Sequence, residues 1–138
     1  MSTSRESCHR WAKQLLAAEA SVPAENHPTV HEAARVCEKL RVSLTRFVGP
    51  DGFAALMRRS LALARTQTPL LNGLETTADG RLEHMEELVA SGEEGILAAT
   101  AVNAQLLELL VAFVGESLTI RLVREVWPEA QLETDHED

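Results

Sequence analysis

The chain has 138 residues, of which 45% are hydrophobic and 25% are charged, a composition typical of one globular domain and unlike that of a disordered or collagen-like chain. Lys and Arg together number 13 against 21 for Asp and Glu, which gives a formal net charge of −8. This balance argues against a protein whose whole surface binds nucleic acid or an anionic membrane.

Two helices separated by a linker are predicted in the first third of the chain. Apolar residues recur at helical spacing over 5–20, and Pro23 ends this helix because proline cannot continue one. The second helix, over about 28–48, has the clearest amphipathic pattern of the chain. Its apolar face is formed by Val30, Ala33, Cys37, Leu40, Leu44 and Phe47.

A third helix is predicted over 52–67, after a break at the residues Gly-Pro-Asp-Gly. Gly49 suits the position just past a helix end, where φ is positive. Asp51 can then cap the helix that follows, because its carboxylate accepts hydrogen bonds from free backbone N–H groups.

The segment after Pro69 changes character. An Asp-Gly pair at 79–80, between two short extended arms, is the signal of a tight turn. It predicts a small β-hairpin or an irregular loop at 73–83, which must lie on the helices because two strands alone are marginally stable. A short acidic helix is predicted next, over 83–91.

The last predicted helix, over about 93–127, is too long for a compact domain of this size. Unbroken, it would measure about 50 Å at about 1.5 Å per residue, whereas a domain of 138 residues has a diameter of roughly 37 Å. We therefore expect it to bend, with Gly115 the favoured place, or to project into a partner subunit. Within 106–114 the only charged residue is Glu108, which predicts a central helix covered on several sides.

Together these elements predict an all-α domain over residues 1–128. We expect a bundle of five or six helices with the long C-terminal helix at its centre and the hairpin or loop insert at 73–83. Residues 129–138 include five acidic residues and no basic one, and we expect them to form an acidic, mobile tail.

One stripe of the long helix carries only small or polar residues at helical spacing, and three interpretations are open. It faces solvent or a neighbouring helix, it forms a self-association seam, or it lines a ligand pocket. Burial would raise the pKa of Glu108 unless an arginine pairs with it, so this residue is the best single candidate for a functional carboxylate. The candidates for the seam are Ala101, Ala112, Gly115 and Thr119, and those for the pocket are Asn103, Gln105, Glu108 and Arg121.

Charge is segregated along the chain. Residues 35–65 carry seven basic residues against two acidic ones, and residues 75–94 carry seven acidic residues against one basic residue. The surfaces that these two segments form either face each other or are solvated. Alternatively, the basic surface binds an acidic protein or a phosphate-bearing ligand. DNA binding is disfavoured, because the second helix is too long for a helix-turn-helix motif. The candidate basic patch consists of Arg35, Lys39, Arg46, Arg58 and Arg59.

Few residues suggest metal, cofactor or covalent chemistry. His27 and His31 have i, i+4 spacing, which can hold a metal on a regular helix, but Pro28 places His27 at or before the helix start. They are weak candidates without a third ligand at a diagnostic spacing, and we expect no metal and no cofactor.

Two cysteines, Cys8 and Cys37, are too few for a disulfide framework, and we expect both to be reduced. The chain has no motif of a serine hydrolase, P-loop, zinc protease or dinucleotide-binding protein.

Two stretches carry a family resemblance. They are Gly49-Pro50-Asp51-Gly52-Phe53 and, at 113–128, Phe-Val-Gly-Glu-Ser-Leu-Thr-Ile-Arg-Leu-Val-Arg-Glu-Val-Trp-Pro. In both, the chain resembles a group of small, uncharacterised bacterial all-helical proteins without known activity. The resemblance implies a bacterial protein and adds no functional residue.

From these features we expect a non-enzymatic interaction or regulatory module that self-associates through its helices as a homodimer, with an acidic protein as a further candidate partner. One alternative is a small-molecule sensor with an interhelical pocket near Glu108, and another is an enzyme that uses Glu108, Glu116 or the histidines.

We expect no membrane segment, because the apolar run at 106–114 is shorter than the roughly 20 residues of a span. The N-terminus lacks the apolar region of a secretory signal, which favours the cytoplasm.

Overall fold

The structure, a computed structural model, describes residues 3–19 and 30–128. They form five α-helices and a small antiparallel hairpin, which confirms the predicted all-α class with a small β insert. The predicted tail at 129–138 lies outside the described residues. The elements are α1 (Thr3–Glu19), α2 (Val30–Arg65), a 3₁₀ turn (Pro69–Gly73), β1 (Glu75–Thr76), β2 (Leu82–Glu83), α3 (Glu86–Ala90), α4 (Glu93–Val114) and α5 (Glu116–Val126).

The predicted second and third helices are joined into α2, which is kinked at Gly49. Gly49 has φ 85° and ψ 161°, a conformation essentially confined to glycine, and helical geometry resumes at Pro50. Proline suits this place because the first residue of a helix needs no backbone N–H donor. The predicted cap at Asp51 is therefore wrong, since Asp51 lies inside the helix, after Pro50.

The long C-terminal helix is also interrupted by glycine. α4 ends at Val114 and α5 begins at Glu116, because Gly115 has φ 95° and ψ 160°, almost the conformation of Gly49. The expected bend at Gly115 is confirmed. Each part then fits inside a domain of this size, since the 22 residues of α4 measure about 33 Å.

α4 is the central helix and contacts α1, α2, α3 and α5. Leu106, Leu107 and Leu110 are fully buried, as expected for a helix covered on several sides. The cover stops before the helix ends, because Phe113 is 66% exposed and Ala112 is also exposed. The expectation that all of 106–114 is covered is therefore wrong for the last turn, which α5 does not cover after the break.

By length and composition alone, α4 could also cross a membrane, with a mean hydropathy of 1.8 over its most apolar window. Half of the residues in that window are buried inside the protein, and the core helix of a globular protein can be equally long and apolar. The apolar character of α4 is thus already accounted for by its central position.

The hairpin lies on α2, as its short strands require. β1 and β2 are antiparallel, with Glu75 opposite Glu83. At the turn, Gly80 has φ +89° and is packed so tightly that a Cβ atom there would lie 2.6 Å from Cδ2 of Phe53 in α2. The turn therefore requires glycine both for its backbone conformation and for its close approach to the aromatic ring.

Replacing Gly80 with Ala is expected to destabilise the fold by about 2–5 kcal/mol, because the added Cβ strains the backbone and overlaps Phe53. Urea unfolding measures the loss. Gly115→Ala is the matched control, because Gly115 shares the positive φ but a Cβ there would meet no atom within 4 Å. It should lose only the backbone part, and equal losses in the two variants would contradict the tight packing of the hairpin on α2.

Candidate functional site

Two of the predicted pocket residues come together beside α1. Gln105 Nε2 donates a hydrogen bond to Glu108 Oε1 at 2.9 Å, and both side chains line a cavity of about 70 Å³. Pockets that bind small molecules usually have volumes of about 300–1,000 Å³, so this cavity is smaller than a typical metabolite site. Its remaining walls are His9, Ala64, Gln67, Thr68, Ala101 and Ala104.

The other two pocket candidates lie elsewhere. Asn103 is 2% exposed in the core, and its Nδ2 donates to the carbonyl oxygen of Ala33 at 3.2 Å, which ties α4 to α2. Its Oδ1 has no hydrogen-bond partner within the described ranges. Arg121 is exposed on α5 and does not line the cavity. Of the four candidates, only Gln105 and Glu108 therefore share a site.

Both cysteine side chains are free and buried. Burial raises the pKa of the Cys8 thiol to about 12, and the nearby carboxylates of Glu108 and Glu116 add to the rise because they repel a thiolate. Burial also raises the pKa of the Cys37 thiol to about 12. Since the thiolate is the nucleophilic form, neither cysteine is suited to covalent chemistry.

The five residues of the candidate basic patch fall into two groups. Arg35 and Lys39 both pair with the carboxylate of Glu19, at 3.1 Å and 2.9 Å. Arg35 also pairs with Glu32 at 3.3 Å, so the two positive charges face two carboxylates. The other three are exposed and form no ion pair with any residue that the structure describes: Arg46, Arg58 and Arg59.

Glu19 connects α1, α2 and the residue that follows α5, and we name Glu19, Arg35, Lys39 and Trp127 the Glu19 cluster. Trp127 Nε1 donates to Glu19 Oε1 at 3.1 Å, and Lys39 Nζ lies 5.9 Å from the centroid of the indole ring. Desolvation of the carboxyl group acts to raise the pKa of Glu19. The hydrogen bonds from Lys39, Trp127 and Arg35 outweigh it and hold this pKa below its ordinary value. The cluster thus fastens the end of α5 to the bundle.

A larger groove, which we name the apolar groove, lies between α2 and the last turns of α4. Its volume is about 550 Å³, and among the residues that the structure describes Arg59 is the only charged one in its lining. Phe113 forms part of its wall with 66% of its surface exposed. A Cβ atom at Gly52 would lie 3.2 Å from Val48 Cβ, so glycine leaves room there. The lining residues are Val48, Gly52, Ala55, Leu56, Arg59, Leu109, Ala112 and Phe113.

The four candidates for a self-association seam do not form one continuous surface. Ala112 lines the apolar groove, Ala101 lines the small cavity, and Gly115 is exposed at the helix break. Thr119 is fully buried, and its Oγ1 donates to the carbonyl oxygen of Gly115 at 2.8 Å. The stripe ends at Gly115, because the break changes the direction in which the following residues project.

A third space, of about 320 Å³, lies between α2 and the hairpin. Its charged lining residues already pair with one another or with neighbours: Arg41 with Glu38, Arg35 with Glu19, and Arg81 with Asp79 at 3.3 Å. The first pair lies within α2, the second joins α2 to α1, and the third lies within the hairpin turn, so little charge is left for a ligand.

Only one residue of the predicted histidine pair can be located, because His27 lies outside the described residues. His31 is exposed in the first turn of α2. The structure instead brings together the exposed side chains of Glu75, Glu83 and His84, which the cross-strand register of the hairpin places side by side. Exposed acidic groups of this kind are common without a bound ion. The sequence gives no sign of this cluster, since it depends on the register of two very short strands.

The sequence also gives no direct sign of the apolar groove. Phe113 falls within the section at 106–114 that was expected to be covered. The indirect signal is the pair of glycine breaks, since Gly49 and Gly115 each interrupt a helix next to a groove wall.

Comparisons of the chain with models of protein families, with curated proteins and with solved structures find no match.

Replacing Glu19 with Gln is expected to cost about 1–2 kcal/mol of stability at neutral pH, because the charge that pairs with two half-exposed cations is lost. Because folding lowers the pKa of Glu19, its contribution is complete above the ordinary pKa of 4.5 and disappears as the pH falls through the lowered value. Urea unfolding of both proteins at neutral pH and at successively lower pH tests this.

The difference between wild type and Glu19→Gln should shrink in acid. Glu125→Gln, which neutralises an exposed carboxylate on α5, is the control and should leave stability unchanged at every pH. A difference that stays constant with pH would show that the charge of Glu19 has no part in the cluster.

Proposed function

We propose that this protein is a non-enzymatic interaction or regulatory module that self-associates as a homodimer through the apolar groove. The observation that carries the proposal is Phe113, a large aromatic side chain that is 66% exposed beside an apolar groove of about 550 Å³. Exposed apolar surfaces of this kind are typical of contact sites, where aromatic side chains serve as anchors.

The lining of the groove favours a protein partner over a small molecule. Small-molecule sites combine apolar walls with several placed polar groups that orient the ligand. Within the described ranges, the lining of the apolar groove offers one such group, Arg59, and its other residues are aliphatic, aromatic or glycine. An apolar helix face, whose backbone polar groups are already satisfied, suits this surface better.

A non-enzymatic role is supported by the weakness of the reactive groups. Glu108 and Glu116 both lie near Cys8, but that thiol is buried and its pKa is raised to about 12. The cavity beside Glu108 measures about 70 Å³. A catalytic site requires titratable groups to converge on a space that admits a substrate, and this space is small for one.

The sensor alternative is favoured by one observation, the hydrogen-bonded pair Gln105–Glu108 beside a polar cavity. A rise in melting temperature with a member of a metabolite panel, lost in Glu108→Gln, would support it.

The family resemblance at 49–53 and 113–128 extends our proposal to a bacterial, cytoplasmic setting.

Replacing Phe113 with Ser is expected to weaken self-association about a hundredfold or more. Each dimer would lose two buried rings, and burial of one contributes about 1.5–3 kcal/mol, where 1.4 kcal/mol corresponds to a factor of ten. Light scattering coupled to size exclusion, over a range of protein concentrations, measures the change.

Phe47→Ser is the matched control, because Phe47 is also an exposed phenylalanine, at 47%, and does not line the apolar groove. It should dimerise like the wild type, while circular dichroism shows both variants folded. Equal behaviour of the two variants would remove the apolar groove from the contact.

A further inference from the structure

A row of three exposed residues runs along α2 at the rim of the apolar groove. Asp51, Ala55 and Arg59 are four residues apart, so they form one ridge of the helix, in which successive members turn by about 40° and rise by about 6 Å. Ala55 and Arg59 line the apolar groove, while Gly52 and Leu56 lie deeper in its lining and are half-buried. We name Asp51, Ala55 and Arg59 the rim row.

The rim row carries opposite charges at its two ends. Asp51 and Arg59 lie about 12 Å apart along the helix, with the small side chain of Ala55 between them. Neither charged side chain forms an ion pair with any residue at 3–19 or 30–128. Both charges are therefore available to a partner.

A row of this kind is complementary to an antiparallel copy of itself. When a second α2 crosses the first in the opposite direction, with the two Ala55 residues adjacent, Asp51 of each copy faces Arg59 of the other. In a parallel arrangement like charges would meet at both ends, which is unfavourable. Ridges of residues four apart are those that most often pack between helices, and a small residue at the crossing lets the two backbones approach closely.

The same arrangement brings the two apolar grooves together. A two-fold axis that relates two antiparallel helices lies in the plane of their contact, roughly perpendicular to both, so α4 of each copy stays on the same side of the α2 pair. The grooves between α2 and α4 then face each other. Phe113, 66% exposed on the α4 wall, enters the space that they enclose. An apolar centre with charged groups at its rim is the usual anatomy of a protein interface.

Resting on the self-association proposed above, we infer that two copies pair through their rim rows, antiparallel about a two-fold axis beside Ala55. Asp51 of each copy pairs with Arg59 of the other, and the two grooves close over both Phe113 side chains. The ion pairs set the direction and register of the contact, whereas the apolar grooves supply most of its strength.

Charge exchange along the rim row tests this pairing. D51K and R59E each place like charges opposite each other at both ends of the row, so each alone should dimerise about tenfold or more weakly than the wild type. The double exchange D51R/R59D keeps the net charge of the wild type and restores opposite charges at both ends, so it should dimerise like the wild type. Sedimentation equilibrium measures the dimerisation, and circular dichroism shows that each variant is folded.

A mixture of the two single variants provides a second readout. Mixed in equal amounts, D51K and R59E should form a heterodimer, because opposite charges then meet at both ends. Native mass spectrometry separates it from the two homodimers by mass. Glu125→Lys is the matched control for D51K, since it reverses an exposed acid on α5 that does not line the apolar groove. It should dimerise like the wild type.

Disulfide trapping tests the register independently of charge. Ala55→Cys should form a covalent dimer under mild oxidation, because residues beside a two-fold axis can bring their Cα atoms within the roughly 4–7 Å that a disulfide requires. Cys8 and Cys37 are buried, so the unaltered chain should give no covalent dimer. Ala17→Cys, at an exposed position of α1 outside the groove lining, is the control and should also give none on a non-reducing gel.

Restored dimerisation in D51R/R59D together with a covalent dimer of Ala55→Cys supports the inference. Unchanged dimerisation in both single variants, failure of the folded double variant to regain it, or the absence of a covalent dimer of Ala55→Cys each overturns the inference. If Phe113→Ser still weakens dimerisation in that case, the proposed function stands, whereas a monomeric wild type overturns both.

Discussion

A helix that is apolar on nearly every side must be surrounded, and this requirement organises the whole chain. α4 is enclosed by α1, α2, α3 and α5, and Leu106, Leu107 and Leu110 are fully buried. Burial of each such side chain contributes about 1.5–3 kcal/mol, so the bundle depends on this helix more than on any ion pair. The last turn, around Phe113, is left uncovered, and the apolar groove lies there. The apolar excess that builds the core therefore also supplies the proposed contact surface.

Two glycines determine where that enclosure ends. Gly49 and Gly115 have nearly the same backbone conformation, φ 85° with ψ 161° and φ 95° with ψ 160°, which other residues adopt only with strain. The first lies beside Val48 at one wall of the apolar groove, and the second follows the turn that contains Phe113. The shape of the groove is thus set by two single-residue breaks in the backbone rather than by a long loop.

Local patterns predicted the elements of this fold, and contacts between distant residues account for what they missed. The bend at Gly115 followed from comparing a helix length with a domain diameter, and the hairpin followed from one Asp-Gly pair. The Glu19 cluster joins residues 16, 20 and 108 positions apart, and a single sequence carries no signal for pairing at such separations. For the same reason the basic patch was predicted as one surface, although Arg35 and Lys39 are paired with Glu19. Apolar content likewise indicated that α4 is buried, but not which of its turns stays exposed.

Sedimentation equilibrium of the unaltered chain over a wide range of concentrations tests the central claim most directly, because it asks whether a second copy covers the end of α4 that the first leaves exposed. The account predicts a reversible equilibrium between monomer and dimer at micromolar concentration, with no larger species. A chain that stays monomeric throughout, or one that grows into an open series of oligomers, would contradict it.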